Sequence, residues 1–154
     1  ISGKNTSSIL PLANQPVRAV AVERLRGFVV PQQQAVDVEG VVNFLAVHTR
    51  RDEPVLMFPE LGALHFFADR PWVGRFSMPT LSWIKEDWHR EFMADLENFK
   101  PRYAVVNKKV PDYFYASYFP VADNRQRFGE AMEYIETHYR DIAQTPSYRV
   151  LERK

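Results

Sequence analysis

Apolar positions at helical spacing predict three helices of ordinary length. The first is expected over residues 37–51, with Asp37 as N-cap and the Arg50-Arg51 pair at the negative end of the helix dipole. A second helix is expected over residues 82–100 and a third over 125–139. The predicted apolar ridge of the second helix consists of Ile84, Trp88, Phe92, Leu96 and Phe99.

Short apolar runs between these helices predict strands over residues 55–58 and 103–106, and a final edge strand over 148–151. A short helix is expected over 61–68, while residues 17–22 fit either an edge strand or the start of a helix. Because strands alternate with helices, we predict an α/β fold. It would be a layered, mostly parallel, Rossmann-like sheet with helices packed on it and an antiparallel strand at one edge.

The polar start of the chain differs from the remainder. Residues 1–22 contain a run of small polar residues, and Pro11 and Pro16 interrupt any periodicity, which predicts a tail or linker. The chain begins at Ile1, and we expect this linker to follow a membrane region that is missing from the sequence. Residues 23–154 are expected to form a single α/β domain, since 45% hydrophobic content supports one core.

Composition narrows the function classes. A net charge of +1 gives none of the basic excess of a nucleic-acid binder. The apolar runs are shorter than the ~18 residues that a membrane span needs. The lack of cysteine removes disulfides and thiolate chemistry, and it fits an oxidising compartment.

Familiar catalytic signatures are not present in the sequence. The six glycines are too far apart to form a dinucleotide-binding loop or a P-loop. There is no G-x-S-x-G nucleophile elbow, and the four histidines form no H-E-x-x-H motif. We therefore expect no catalytic residue, no metal site and no cofactor in this chain.

Residues 55–76 are the most informative segment, because an apolar strand there feeds a short helix. Open α/β sheets bind ligands beyond the carboxyl ends of their strands. The candidate ligand-binding residues are Glu60, His65, Asp69, Arg70 and Arg75. His65 and Asp69 fit a metal or acid/base pair, or else a half-buried histidine bonded to a carboxylate, which we favour. Arg70 and Arg75 fit a pyrophosphate or carboxylate contact, or else structural salt bridges, which we also favour.

An aromatic block over residues 113–120 is the second unusual feature. Tyr113, Tyr115 and Tyr118 are candidates for an interaction surface. Such a surface would stack on a sugar, meet a membrane interface or dock a partner domain. The alternative, which we favour, is that alternate rings pack under the sheet.

The 55–76 segment resembles a known family when it is read together with Lys-Pro-x-Tyr at residues 100–103 and Tyr-x-Val-Leu-x-Arg at 148–153. It is similar to the soluble C-terminal domain of bacterial membrane glycosyltransferases of the GT-C type. These enzymes are related to the protein O-mannosyltransferases and to the aminoarabinose transferases that modify lipid A. The resemblance covers roughly residues 25–154.

The resemblance implies a non-catalytic accessory domain on the periplasmic face of the bacterial inner membrane. The parent enzyme would use a polyprenyl-phosphate-linked sugar, and its catalytic acidic residues would lie near the first membrane helices. The implied partners are the transmembrane part of the same polypeptide and a lipid-linked sugar or acceptor, with no nucleic acid. Two alternatives stay open, a free-standing α/β enzyme or binder of sugars or nucleotides and a protein–protein interaction module.

Overall fold

A computed structural model describes residues 15–110 and 123–154, which contain six strands and four α-helices. The interaction residues predicted at Tyr113, Tyr115 and Tyr118 lie outside the described residues. In chain order the elements are β1 (Val17–Ala19), β2 (Val29–Pro31), α1 (Gln32–His48), β3 (Leu56–Phe58), α2 (Gly62–Ala68), α3 (Glu86–Phe99), β4 (Tyr103–Asn107), α4 (Asn124–His138), β5 (Tyr139–Gln144) and β6 (Tyr148–Arg153). Two short 3₁₀ helices occupy Glu23–Leu25 and Pro79–Ile84.

The central sheet has the strand order β3-β4-β6-β5 and is mixed. Strands β3 and β4 run parallel, with Leu56 opposite Ala104, whereas β6 runs antiparallel to both β4 and β5. The prediction of a mostly parallel, Rossmann-like sheet is therefore wrong. The physical reason is that β5 and β6 follow each other with only three residues between them, and a connection this short forces an antiparallel hairpin.

Helices cover both faces of this sheet, so the layered α/β class is confirmed. Alternate residues of β3 and β4 point to opposite sides, as strand geometry requires. Leu56 and Ala104 join a core with α3 and α4, while Met57 and Val105 join a second core with α1 and α2. A third, smaller core lies beneath β1 and β2 and includes Leu25.

Helix α1 begins five residues earlier than predicted. It starts at Gln32, directly after Pro31, so Asp37 lies in its second turn and the N-cap assignment is wrong. The polar run at the start of the helix carries no apolar periodicity, which hid this turn from the pattern. The buried Asp37 carboxylate instead accepts hydrogen bonds from the hydroxyl of Thr145 at 2.6 Å and from the N–H and hydroxyl of Ser147 at 2.8 and 2.6 Å. It ties α1 to the turn between β5 and β6.

The helix predicted over residues 82–100 is divided. A 3₁₀ helix ends at Ile84, Lys85 is extended, and α3 begins at Glu86. The carbonyl of Lys85 accepts the N–H groups of two residues in the first turn of α3, which restarts the helix. Phe92 and Leu96 are buried as predicted, but the division leaves Ile84 exposed, and the αL residue Lys100 ends α3 next to an exposed Phe99.

Near the C-terminus, the helix predicted over 125–139 matches α4, but strand β5 was missed. Its residues are mostly polar and exposed, as suits the edge of a sheet, so they show little apolar signal. Strand β6, predicted as an edge strand, lies between β4 and β5.

At the other end, residues 17–19 form β1, which pairs antiparallel with β2. These residues lie in the range predicted as a linker, and the domain division itself stays a prediction. No helix in the described part of the chain is both long enough and apolar enough to cross a membrane.

Candidate functional site

The guanidinium of Arg70 lies where helices α1 and α2 both end, and it is buried there. Its Nε donates to the hydroxyl of Thr49 at 2.6 Å. Its Nη1 donates to the carbonyls of Ala68 and Asp69, at 2.9 and 3.0 Å, and its Nη2 to those of Leu45 and Thr49, at 3.1 and 3.0 Å. These contacts use all five N–H donors of an arginine.

The charge of Arg70 therefore meets backbone carbonyls rather than a carboxylate. A cation at a helix C-terminus is stabilised by the negative end of the helix dipole, and here two such ends converge. The sequence favours a structural salt bridge for Arg70. The structure gives Arg70 a structural role of a different kind, as a common C-terminal cap for α1 and α2.

His65 lies on the buried side of α2 and donates from Nδ1 to the carbonyl of Arg70 at 3.2 Å. Nδ1 must carry the proton because a carbonyl can only accept, which leaves Nε2 as the acceptor of the neutral ring. Burial lowers the pKa of His65 from its ordinary 6.5 to about 4, so the ring is neutral near pH 7. His65 is thus bonded to a backbone carbonyl and not to the carboxylate of Asp69.

Asp69 ends α2 in the left-handed conformation, with φ of 53°. Its carboxylate forms ion pairs with two arginines. Arg24 donates to Oδ1 and also to the carbonyl of Phe66, and the Nε of Arg51 lies 3.5 Å from Oδ2. Since Arg24 and Arg51 come from separate parts of the chain, this ion-pair triad joins the 3₁₀ helix and the end of α1 to the end of α2.

Three of the five predicted ligand-binding residues line one open cleft of about 640 Å³. They are His65, Asp69 and Arg70. Two exposed aromatic residues, Phe66 and Trp72, also line this cleft. The ring of Trp72 is edge-on to the imidazole of His65, with 6.2 Å between centroids. We call this the α2 cleft.

The other two predicted residues lie outside the α2 cleft lining. Arg75 forms a two-pronged ion pair with Glu91 at 2.9 and 2.5 Å, and its guanidinium lies 4.5 Å from the centroid of the Phe76 ring. This pairing raises the pKa of Arg75 and lowers the pKa of Glu91. Glu60 is partly exposed in the turn between β3 and α2. A ligand-binding role for any of the five residues stays a prediction.

The carboxyl ends of the parallel strands, where the sequence placed the ligand, open into a different and smaller cavity of about 270 Å³. Phe58, Val106 and Arg149 are among its lining residues, and none of the five predicted residues is. Arg149 is occupied there by ion pairs to Glu136 and Asp141. The α2 cleft lies instead at the far end of α2. There the N–H of Val55, just before β3, donates a hydrogen bond to the carbonyl of Pro71.

Sequence reasoning missed Arg24, Arg51 and Trp72 as residues of the α2 cleft. Arg24 is 45 residues away from Asp69 in the chain, so no local spacing signals their contact. Trp72 lies in a stretch without periodicity, so the hydrophobic pattern does not select it. The only indication in the sequence is an aromatic residue two positions after Arg70. Within residues 15–110 and 123–154, no group of three or more metal-ligating side chains is gathered.

Comparison with known proteins finds a likeness in structure and no match in sequence. No protein-family model matches the chain, and no curated protein matches it at a significant level. The chain is similar to the C-terminal globular domain of an oligosaccharyltransferase from Archaeoglobus fulgidus, with a TM-score of 0.46 and 18% identity, over 77% of this chain and 97% of that one.

Proposed function

We propose that this chain is a non-catalytic, extracytoplasmic accessory domain of a bacterial membrane glycosyltransferase-like protein. In this proposal the parent protein transfers a sugar from a polyprenyl-phosphate carrier, and the accessory domain helps to position the donor or the acceptor. The transmembrane part of the same polypeptide is its partner.

The observation that carries the proposal is where the family-like segments lie in the fold. They supply β3, α2, β4 and β6, and β3, β4 and β6 are neighbours in the central sheet. The residues that resemble the family therefore supply three of the four strands of the central sheet. This supports a resemblance between whole domains rather than between short surface motifs.

The contacts of the motif arginines support a structural, non-catalytic role. Arg70 uses its five donors on Thr49 and on four backbone carbonyls, and Arg75 is paired with Glu91. The guanidinium of Arg70 has no donor left for a substrate, and that of Arg75 is already paired with a carboxylate. The motif thus fits a domain that holds its own shape while the chemistry takes place in another part of the parent protein.

A transfer assay tests this proposal. The 154-residue chain, the parent protein and a parent variant without residues 15–154 would each receive a labelled polyprenyl-phosphate hexose and a membrane extract as the source of acceptor. We expect transfer by the parent, weaker transfer by the shortened variant and none by the 154-residue chain. Transfer of the hexose by the 154-residue chain alone would overturn the proposal.

A further inference from the structure

The α2 cleft combines a large opening with exposed aromatic side chains. Its volume of about 640 Å³ lies within the range of about 300–1,000 Å³ that small-ligand pockets occupy. Trp72 is 45% exposed and Phe66 is 58% exposed, although most aromatic side chains of a domain this size are expected in its core. An exposed indole beside a cleft offers a flat apolar face to a ligand.

The cationic groups of the cleft already have partners, which disfavours an anionic ligand. The carboxylate of Asp69 is shared by Arg24 and Arg51, so a phosphate would compete with that carboxylate for both guanidinium groups. A second carboxylate in the lining, that of Asp52, is paired with Arg50 at 3.0 Å. The donors of Arg70 are all used on the backbone and on Thr49.

The hydrogen-bonding groups of the cleft suit a neutral polar ligand. His65 lines the cleft as a neutral imidazole whose Nδ1–H donates to the carbonyl of Arg70, so its Nε2 can accept a hydrogen bond from a hydroxyl group. The carboxylates of Asp52 and Asp69 are further acceptors, and the largely exposed guanidinium of Arg51 is a donor.

We propose that the α2 cleft binds a neutral pyranose ring. The C–H face of the ring stacks on the indole of Trp72, and one of its hydroxyl groups donates a hydrogen bond to Nε2 of His65. A polyhydroxylated ring matches both halves of this surface, since it has an apolar face and a rim of hydroxyls. The inference deepens the proposed function and rests on it for its biological meaning.

Nuclear magnetic resonance of the ¹⁵N-labelled 154-residue chain tests the inference. The protein has three tryptophans, so its three indole N–H signals report separately on Trp72, Trp83 and Trp88. The probes are the methyl pyranosides of glucose, mannose, galactose and N-acetylglucosamine, with inorganic phosphate as a separate arm. We expect at least one pyranoside to shift the Trp72 signal saturably and to leave the signals of the buried Trp83 and of Trp88 in place.

Two variants sharpen the test. Trp72→Ala removes the stacking face from an exposed position, and we expect it to weaken pyranoside binding at least tenfold while the remaining spectrum is kept. His65→Asn keeps a donor for the carbonyl of Arg70 but removes the Nε2 acceptor, and we expect weaker binding again. Trp88→Phe is the matched control, because Trp88 lies on α3, contacts Arg75 and is not part of the α2 cleft lining. Pyranoside binding by this variant should be unchanged.

Three results would overturn the inference. They are no saturable shift with any of the four pyranosides, a shift at Trp72 with phosphate but not with pyranosides, or equal pyranoside binding by the Trp72→Ala variant. The proposed function is tested separately by the parent protein. Failure of sugar binding leaves it standing, and failure of the parent protein to transfer sugar leaves the binding result standing.

Discussion

Arg70 and Thr49 meet where helices α1 and α2 end, with Nε of the guanidinium 2.6 Å from the threonine hydroxyl and Nη2 3.0 Å from its carbonyl. The hydroxyl of Thr49 in turn donates to the carbonyl of Leu45 at 2.5 Å. One buried side chain thus caps α1 directly and through Thr49, while its remaining donors cap α2. The orientation of α2 against α1 depends on this contact.

Arg70→Lys should destabilise the domain although it keeps the charge. A lysine ammonium is a single donor atom and cannot reach carbonyls on two helices at once, so several buried carbonyls would lose their partner. Hydrogen bonds to charged groups contribute about 1.5–3 kcal/mol each, so we expect a loss of about 3 kcal/mol in the free energy of unfolding. Urea unfolding followed by circular dichroism measures it.

Arg75→Lys is the matched control for this substitution. Arg75 pairs with Glu91 at the surface, where ion pairs contribute little to stability. The urea midpoint of this variant should stay close to that of the unsubstituted 154-residue chain. Equal midpoints for the Arg70 and Arg75 variants would show that Arg70 is not the common cap of the two helices.

The burial of His65 predicts a loss of stability in acid. Its pKa is about 4 in the folded chain and 6.5 when unperturbed, so the unfolded chain binds the proton more readily. The free energy of unfolding is therefore highest above pH 6.5 and falls as the pH drops from 6.5 to 4. One pKa unit corresponds to 1.36 kcal/mol, so this histidine alone should remove up to about 3 kcal/mol.

The comparison with His65→Asn isolates this contribution from that of the carboxylates. Asparagine can still donate to the carbonyl of Arg70 but does not titrate in this range. Urea unfolding at pH 7 and pH 4 should show that the free energy of unfolding falls more in acid for the unsubstituted chain than for the variant. Parallel pH profiles would mean that His65 can take up its proton without leaving its buried position.

Gly40 lies in α1 beside the turn that Asp37 holds, and it tolerates no Cβ there. A Cβ on this residue would lie 2.7 Å from Cγ2 of Thr145. Thr145 cannot rotate away without losing the hydrogen bond from its hydroxyl to Asp37. Overpacking costs about 1–3 kcal/mol and outweighs the helix propensity gained from alanine, so Gly40→Ala should lower the free energy of unfolding.

The partner substitution Thr145→Ser makes this prediction specific, because it removes Cγ2 and keeps the hydroxyl. In the Thr145→Ser background, Gly40→Ala should become neutral or stabilising. The control is Gly129→Ala in α4, where a Cβ meets no atom of the described residues within 4 Å and alanine should stabilise by about 1 kcal/mol. Thermal unfolding of these variants measures their stability. If alanine at Gly40 and alanine at Gly129 stabilise the otherwise unsubstituted chain equally, a Cβ at residue 40 does not clash with Thr145.

The sequence was most informative where side-chain periodicity alone determines structure. The helix predicted over 125–139 agrees with α4 to within a residue at each end, and the strands at 55–58 and 103–106 are the buried β3 and β4. The mixed strand directions of the sheet could not be predicted, because β5 was missed and with it the hairpin that β5 forms with β6. The pairing of β6 with β4 depends on long-range contacts such as that of Tyr103 with Glu152.

The candidate site shows the same division between local and distant information. The sequence selected residues 65–70 as candidates for a ligand site, and His65, Asp69 and Arg70 line the α2 cleft, while their ligand-binding role stays a prediction. The contacts of those side chains could not be predicted. Arg24 reaches Asp69 across 45 residues, and the carbonyl of Leu45 reaches Arg70 across 25. These contacts exist only once α1, α2 and the 3₁₀ helix at Glu23–Leu25 are packed together.

The proposal that this domain belongs to a membrane glycosyltransferase-like protein is tested most simply by the sequence of the complete reading frame that encodes residues 1–154. We expect several hydrophobic segments of about 20 residues each before Ile1, enough for a multispanning membrane protein. A complete reading frame that encodes no membrane-spanning segment would contradict it.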